Sequence, residues 1–379
     1  MSNNINNKDG FNVTPWDVTG EVNYKKLIAK FGTKEITQNL LDQFKRITGE
    51  VHPLLNRKIF FSHRDLDWIL NNYEKGQEFC LYTGRGPSGN THIGHLLTWK
   101  FTQYLQEKFD VELYFQMTDD EKYLHIPNMT LKQTLGYTYE NVLDIIAMGF
   151  DSKKTHIFSD IEYGKTMYSI AVKIAKHITF STTKAVFGFK NSTNIGMVFF
   201  PAMQAATCFL PSILKNKKIP CLIPAAIDQD PYWRGIARFV APKINLPKPA
   251  QIHAKFLPGL GKGGKMSSSN PNTAVFTTDD VDVAEKKIKN SYTGGRDTIA
   301  EQKRLGGRPD ICPIYDYYKF LFEYDDSKLK NIYQDCKSGK LLCGDCKAHL
   351  GNKVKIFLKD HQRKREKAKN VVEKFMLRD

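Results

Sequence analysis

The chain has no apolar run of the roughly eighteen residues that a membrane-spanning helix requires, so no such helix is expected. Its first residues, Met1-Ser2-Asn3-Asn4-Ile5-Asn6-Asn7-Lys8, have neither the apolar centre of a secretory leader nor the arginine-rich amphipathic pattern of an organelle import sequence. The cytoplasm is therefore the expected compartment. Cysteine is sparse: seven in 379 residues, an odd number scattered from Cys80 to Cys346, which does not describe a disulfide framework. Internal repeats and long low-complexity linkers are absent. Acid is in short supply too, with 40 Asp and Glu against 56 Lys and Arg. A net charge of +16 implies a polyanionic partner. With 41% apolar residues, the chain can bury a core of the size that two structural units need.

What is present is concentrated in two loops. The first, Thr83 to His95, follows the short apolar run Phe79-Cys80-Leu81-Tyr82 and precedes a segment, Leu96 to Phe109, with apolar residues at helical spacing. It reads as a strand-to-helix turn that holds a nucleotide. Gly84, Gly86 and Gly89 let backbone approach a ligand, and Arg85 sits in the turn. His92 and His95 share one helix face near a terminus that favours phosphate, with Gly94 between them leaving flat space for a base. The second loop, Gly259 to Ser269, is glycine-punctuated and carries Lys262, Lys265 and Met266 before the hydroxyls of Ser267, Ser268 and Ser269. That composition suits a mobile loop closing over a triphosphate.

Between the loops, apolar runs at 111–117, 156–158 and 219–224 read as strands separated by crossover helices. This is the pattern of an α/β, doubly wound parallel sheet, Rossmann-like, with its ligand across the C-terminal strand ends. Tyr82, Gln116, Glu121, Asp228 and Gln229 fall at or just past such ends, where one cleft can gather them. Beyond the Lys265 loop the pattern becomes helical.

The two loops, in this order and separation, resemble the HIGH and KMSKS signatures of class I aminoacyl-tRNA synthetases. The resemblance covers nearly the whole chain and extends to the tryptophanyl-tRNA synthetases of the eukaryotic cytoplasmic type. It is carried by Thr14-Pro15-Trp16-Asp17-Val18, Phe60-Phe61-Ser62-His63-Arg64-Asp65, Tyr82-Thr83-Gly84-Arg85-Gly86-Pro87, Gln116-Met117-Thr118-Asp119-Asp120-Glu121, Phe200-Pro201-Ala202-Met203-Gln204-Ala205-Ala206 and Ile227-Asp228-Gln229-Asp230-Pro231-Tyr232. The pattern departs at Ser268, where most class I enzymes carry a second lysine.

The resemblance implies activation of L-tryptophan by ATP, with Mg2+ accompanying the nucleotide, and transfer to tRNA(Trp) by a homodimer. His92, His95, Arg85, Lys265, Ser267 and Ser269 are then expected to stabilise the reacting phosphates, with Gly84, Gly86, Gly94, Asp228 and Met266 around ATP. Glu121 suits the substrate ammonium, and the resemblance adds Gln116 and Gln229. Tyr82 and the Gln204 amide oxygen resemble the pair that accepts the indole N–H, the single polar handle of that ring. Four stretches are expected: a disordered tail over 1–12, an appendage over 13–75 with a hairpin near the ATP site, a catalytic domain over 76–280, and a helical tRNA anticodon-binding domain over 281–379. A tyrosyl-tRNA synthetase and an RNA-binding protein without activity are the alternatives.

Three further features carry weaker signals. Asp119, Asp120 and Glu121 on an extended segment would point to alternate faces, too divergent to chelate one ion. Cys336, Cys343, Cys346 and His349 have spacings open to zinc but lack a second Cys-x-x-Cys pair, so they read as structural rather than as a metal site. The basic run from Lys359 to Lys369 reads equally as a solvated helix face and as a tRNA contact, and Lys364 and Arg365 are its candidate contacts.

Overall fold

The computed structural model describes residues 11–13, 18–20, 23–263, 266 and 271–379. Two short strands, β1 (Phe11–Val13) and β2 (Val18–Gly20), pair antiparallel, so residues 11 and 12 of the expected tail lie in a strand. The rest of that tail, and Thr14 to Asp17, lie outside the described residues.

The centre is a seven-stranded sheet: β3 (Lys34–Glu35), β4 (Phe60–Arg64), β5 (Cys80–Arg85), β6 (Leu113–Met117), β7 (Thr155–Ser159), β8 (Cys221–Ala226) and β9 (Ala250–Ala254), in the spatial order β3-β4-β9-β8-β5-β6-β7. The five strands β5 to β9 run parallel; the apolar runs predict β5 to β8, and β9 is a fifth that they do not mark. β3 and β4 extend the sheet antiparallel. The stretch assigned to an appendage therefore supplies two strands of the sheet. The chain steps outward through β5, β6 and β7, then returns to the other side of β5 to lay down β8 and β9. That reversal leaves a crevice at the C-terminal ends of β5 and β8, the position where open α/β sheets bind ligands.

Alternation along the strands divides the core between the two faces. Leu81, Leu113, Phe115 and Leu222 pack on one side with Trp99 and Phe60, while Tyr82, Tyr114 and Ile223 pack on the other with Phe158 and Phe200. Helix ends follow local chemistry. Thr130 caps Leu131–Ala147 by accepting from Gln133 N–H, and the Gln133 side chain accepts in return from Thr130 N–H.

From Val281 onward the described chain is helical. The helices Val281–Lys289 and Cys343–Ala368 pack together, and the latter also lies against Leu131–Ala147. Leu350, Val354 and Leu358 join the same buried cluster as Val142, Ile145 and Ile288, so the helical part shares the core of the sheet. Ile314, Tyr317 and Tyr318 are buried in that core. Gly294 is required by close packing: a Cβ there would lie 2.0 Å from the Arg308 carbonyl oxygen. No helix among the described residues is long and apolar enough to cross a membrane.

Candidate active site

A cavity of about 380 Å³ opens at the crevice between β5 and β8, within the range of small-molecule sites. Thr83, Gly84, Arg85 and Gly86 reach it from β5 and its turn, and Ile223, Ala225 and Ala226 from β8. His92, Gly94 and His95 line it from the start of the helix Ile93–Phe109. His92 is the cap residue, and its backbone N–H donates to His95 Nδ1 at 3.2 Å. The two rings stack with centroids 3.7 Å apart. Burial, with Arg85 and His92 nearby, holds the His95 pKa well below the ordinary histidine value, so its imidazole is neutral near pH 7. Burial also lowers the Arg85 pKa to about 10, which leaves it cationic. Arg85 Nε donates to Asn141 Oδ1 at 2.9 Å, and the Asn141 amide also donates to the Gly89 carbonyl at 3.0 Å. Asn141, on the Leu131 helix, thus aims the arginine and holds the glycine loop.

The second loop meets the first. Ile93 N–H donates to the Val275 carbonyl and Thr277 N–H to the Thr91 carbonyl, stapling the chain after the Lys265 loop to the histidine turn. Leu260 N–H donates to the Thr273 carbonyl at 2.9 Å, pinning the base of the loop. Met266 lines the cavity, and a Cβ on Gly94 would stand 3.0 Å from its sulfur, so glycine keeps that gap open. Lys265, Ser267 and Ser269 lie outside the described residues.

The opposite wall is aromatic and amide-bearing. Phe200, Gln204, Tyr232 and Trp233 line it. Gln204 Nε2 donates to the Tyr82 hydroxyl at 2.7 Å, Tyr82 donates to Gln116 Oε1 at 2.6 Å, and Gln116 Nε2 donates to both oxygens of Asp160 at 2.8 and 2.9 Å. With its NH2 committed to Tyr82, Gln204 has its amide oxygen left as an acceptor. Burial and the neighbouring Asp120 and Asp119 push the Asp160 pKa well above the carboxylate range. Asp120 is raised to about 7, chiefly by burial.

Three expectations change here. Gln116 is fully buried beneath the wall and absent from the cavity lining, so it orients Tyr82. Tyr82 is likewise a buried member of the relay that fixes Gln204. The segment Asp119–His125 is a helix, not extended, because acids in a first turn complement the helix dipole. Glu121 and Lys122 line the cavity, and the Lys122 ammonium stands 2.7 Å from the Glu121 carboxylate. Asp228 and Gln229 line it as expected. Sequence reasoning gives no site role to Trp233, Lys122, Lys255 or, behind the wall, Asp160. Asp160 could have been found, since it follows β7 just as Thr118 and Asp119 follow β6; Lys255 follows β9 in the same way.

The candidate tRNA contacts separate. Lys364 is half-exposed on the Cys343 helix, 2.8 Å from Asp360. Arg365 is buried: its guanidinium bonds Glu140 and Asp144 at 2.6 Å each, while His361 Nε2 lies 2.9 Å from Asp144. Its charge is consumed in holding the Cys343 helix to the Leu131 helix, so it is not an RNA contact.

Residues 74–359 match the family of class I tRNA synthetases (W and Y). The tryptophan–tRNA ligase of Thermococcus sibiricus is 53% identical over 368 residues, 96% of this chain and 94% of that one. That of Pyrobaculum calidifontis is 50% identical over 97% and 98%. The crystal structure of Plasmodium falciparum tryptophanyl-tRNA synthetase aligns with a TM-score of 0.88 and 40% identity, covering 93% of this chain and 97% of that one. The chain belongs to the class I tRNA synthetases of the tryptophan and tyrosine group. Its likeness is not confined to the eukaryotic type, because archaeal ligases are at least as similar in sequence.

Proposed function

We propose that this protein activates L-tryptophan with ATP, releasing pyrophosphate, and then esterifies tRNA(Trp). The observation that carries this is the convergence of the histidine turn, Met266 and Gln204 on one cavity at the reversal of the sheet. The amino-acid carboxylate attacks the α-phosphorus, and no covalent enzyme intermediate is required. The work of the protein is to position the reactants and stabilise charge as it moves onto the leaving group. Arg85, His92 and His95 serve the phosphate side, His95 as a neutral hydrogen-bonding ring. Lys265, Ser267 and Ser269 complete that side from the second loop, while Gly84, Gly86, Gly94, Asp228 and Met266 surround ATP. Mg2+ arrives with the triphosphate, because it readily takes phosphate oxygens and water.

The Gln204 oxygen receives the indole N–H, with Phe200 and Trp233 around the ring. Glu121, already paired with an ammonium, takes that of the substrate, and Gln229 adds a polar contact. Tyrosine is the disfavoured substrate, because the relatives that share half of the sequence are tryptophan ligases and a phenol would favour a carboxylate partner. A homodimer in the cytoplasm is part of the same proposal. The homodimer is supported by exposed Phe180 and Ile195, which line one groove with Phe199, against whose ring exposed Tyr168 lies. Tryptophan-dependent ATP–pyrophosphate exchange, with tyrosine as the competing substrate, is the test; exchange driven by tyrosine, or none with tryptophan, would overturn it.

A further inference from the structure

Four of the seven cysteines meet at one place far from the sheet reversal. Cys312, Cys336, Cys343 and Cys346 all line a small pocket whose other walls are mostly apolar, including Pro309, Ile314 and Leu341. They come from three segments: Cys312 precedes the helix Pro313–Tyr317, Cys336 is in the last turn of Asp326–Lys337, and Cys343 and Cys346 open the helix Cys343–Ala368. All four are free thiols. Sequence spacing groups three of them with His349; the fold replaces that histidine with Cys312.

Burial raises the Cys312 thiol pKa, and the backbone amides of Gly294, Tyr315 and Ile314 oppose that rise. Two glycines bring backbone against other sulfurs, since a Cβ would fall 2.8 Å from Cys343 Sγ at Gly295 and 2.7 Å from Cys336 Sγ at Gly307. An ordinary core gains nothing from three donors on one thiol or from four thiols in one void, because leucine and valine fill apolar space without either. Yet no trio of His, Cys, Asp or Glu among the described residues closes on the position of a single ion. Four cysteine sulfurs from three segments around one apolar pocket match a polynuclear centre, whose corners each take one cysteine and whose sulfurs accept N–H bonds.

We infer that Cys312, Cys336, Cys343 and Cys346 ligate an iron–sulfur cluster. Each sulfur bonds one iron and its thiol proton leaves to solvent, the iron and inorganic sulfide being supplied from outside the chain. Burial raises the Cys336 and Cys346 thiols to about 11 and 12, so it is the metal that would drive their deprotonation. The bound cluster would fasten the start of the Cys343 helix to the two segments beside it.

The test is anaerobic purification of the full-length protein, then reconstitution with ferric iron, sulfide and excess thiol, which supplies the electrons that reduce part of the iron, with bound iron, acid-labile sulfide and zinc measured. Iron and sulfide bound in matching amounts, with a broad visible absorption, is the expected result. Cys312→Ser and Cys343→Ser should each lose most of that absorption, while Cys208→Ala, in the sheet core, should keep it. Because the serine variants could fail to fold, the wild-type measurement decides. Wild-type protein that binds no iron and sulfide, that binds zinc alone, or that pairs these cysteines as disulfides in the reducing preparation would overturn the assignment, as would full retention in both serine variants.

Discussion

The decisive interactions at the scale of single residues are the ones that leave one polar group facing the cavity. Gln204 is fixed by Tyr82, which is fixed by Gln116 and Asp160, so the amide oxygen is oriented before any ligand arrives. Removing an acceptor from a buried donor costs about 1 to 3 kcal/mol. Gln204→Ala should accordingly raise the KM for tryptophan about tenfold in pyrophosphate exchange while leaving that for ATP unchanged; an unaltered tryptophan requirement would show that the amide does not read the indole. Lys255 lies on the cavity wall with its pKa lowered, chiefly by burial, in a chain that has Ser268 where most class I enzymes have a second lysine. Lys255→Ala is expected to slow adenylate formation by about 2 to 4 kcal/mol, like the loss of one preorganised donor, with a smaller change in ATP affinity. Single-turnover rates separate the two effects. His52 responds to pH for a different reason. Its Nδ1 accepts from Leu54 N–H, and burial lowers its pKa to about 4 from the usual 6.5. The unfolded chain thus binds the extra proton, and stability present above pH 6.5 is lost as pH falls toward 4. Between about pH 7 and 5 the wild type should lose about 2 kcal/mol more than His52→Asn, measured by denaturant unfolding at each pH.

At the scale of elements, four of the five parallel strands, β5 to β8, are legible in the sequence because each is a short apolar run bounded by turns, and the polar residues just past their ends are legible as one cleft. β4 and β9 do not read as strands, since Phe60–Arg64 and Ala250–Ala254 mix histidine, arginine or glutamine among apolar residues. Several of those polar groups pair with one another: Ser62 Oγ lies 3.0 Å from His253 Nδ1, and His253 Nε2 lies 2.8 Å from Gln251 Oε1. The basic run of the Cys343 helix misleads for a related reason. Charge density in a sequence does not say which members face inward, and at Arg365 the partners, Glu140 and Asp144, are supplied by a helix more than two hundred residues earlier. Asp144→Ala leaves the buried Arg365 and His361 without their shared acid. A loss of about 3 to 5 kcal/mol in unfolding free energy is expected from breaking a buried pair in this way. A change within about 1 kcal/mol would mean that the cluster contributes little to joining the two helices.

For the whole molecule, the helical part is fused to the sheet by a continuous core, and the chain returns at its end to β7, where Ile157 N–H donates to the Phe375 carbonyl and Leu377 N–H to the Ile157 carbonyl, both at 2.7 Å. That last segment protects an otherwise open edge of the sheet. Composition indicates a basic C-terminal region but not this closure, which depends on pairing between residues far apart in sequence. A shared core also changes how tRNA binding should be probed, because reversing Arg365 would damage the fold and the RNA step together. Lys364 and Lys367 belong to the basic run of the Cys343 helix, and Lys364 is half-exposed, so its charge is available to a polyanion once Asp360 is exchanged for phosphate. Lys364→Glu with Lys367→Glu should weaken tRNA charging, raise the tRNA KM more at about 0.05 M salt than at about 0.2 M, and leave tryptophan-dependent exchange nearly intact. Each lysine–phosphate pairing that the double variant removes should flatten the dependence of log affinity on log salt by about 0.7 to 0.9. If charging and exchange fell together, or if the salt dependence of the double variant matched that of the wild type, this face of the helix would not be where the tRNA backbone lies.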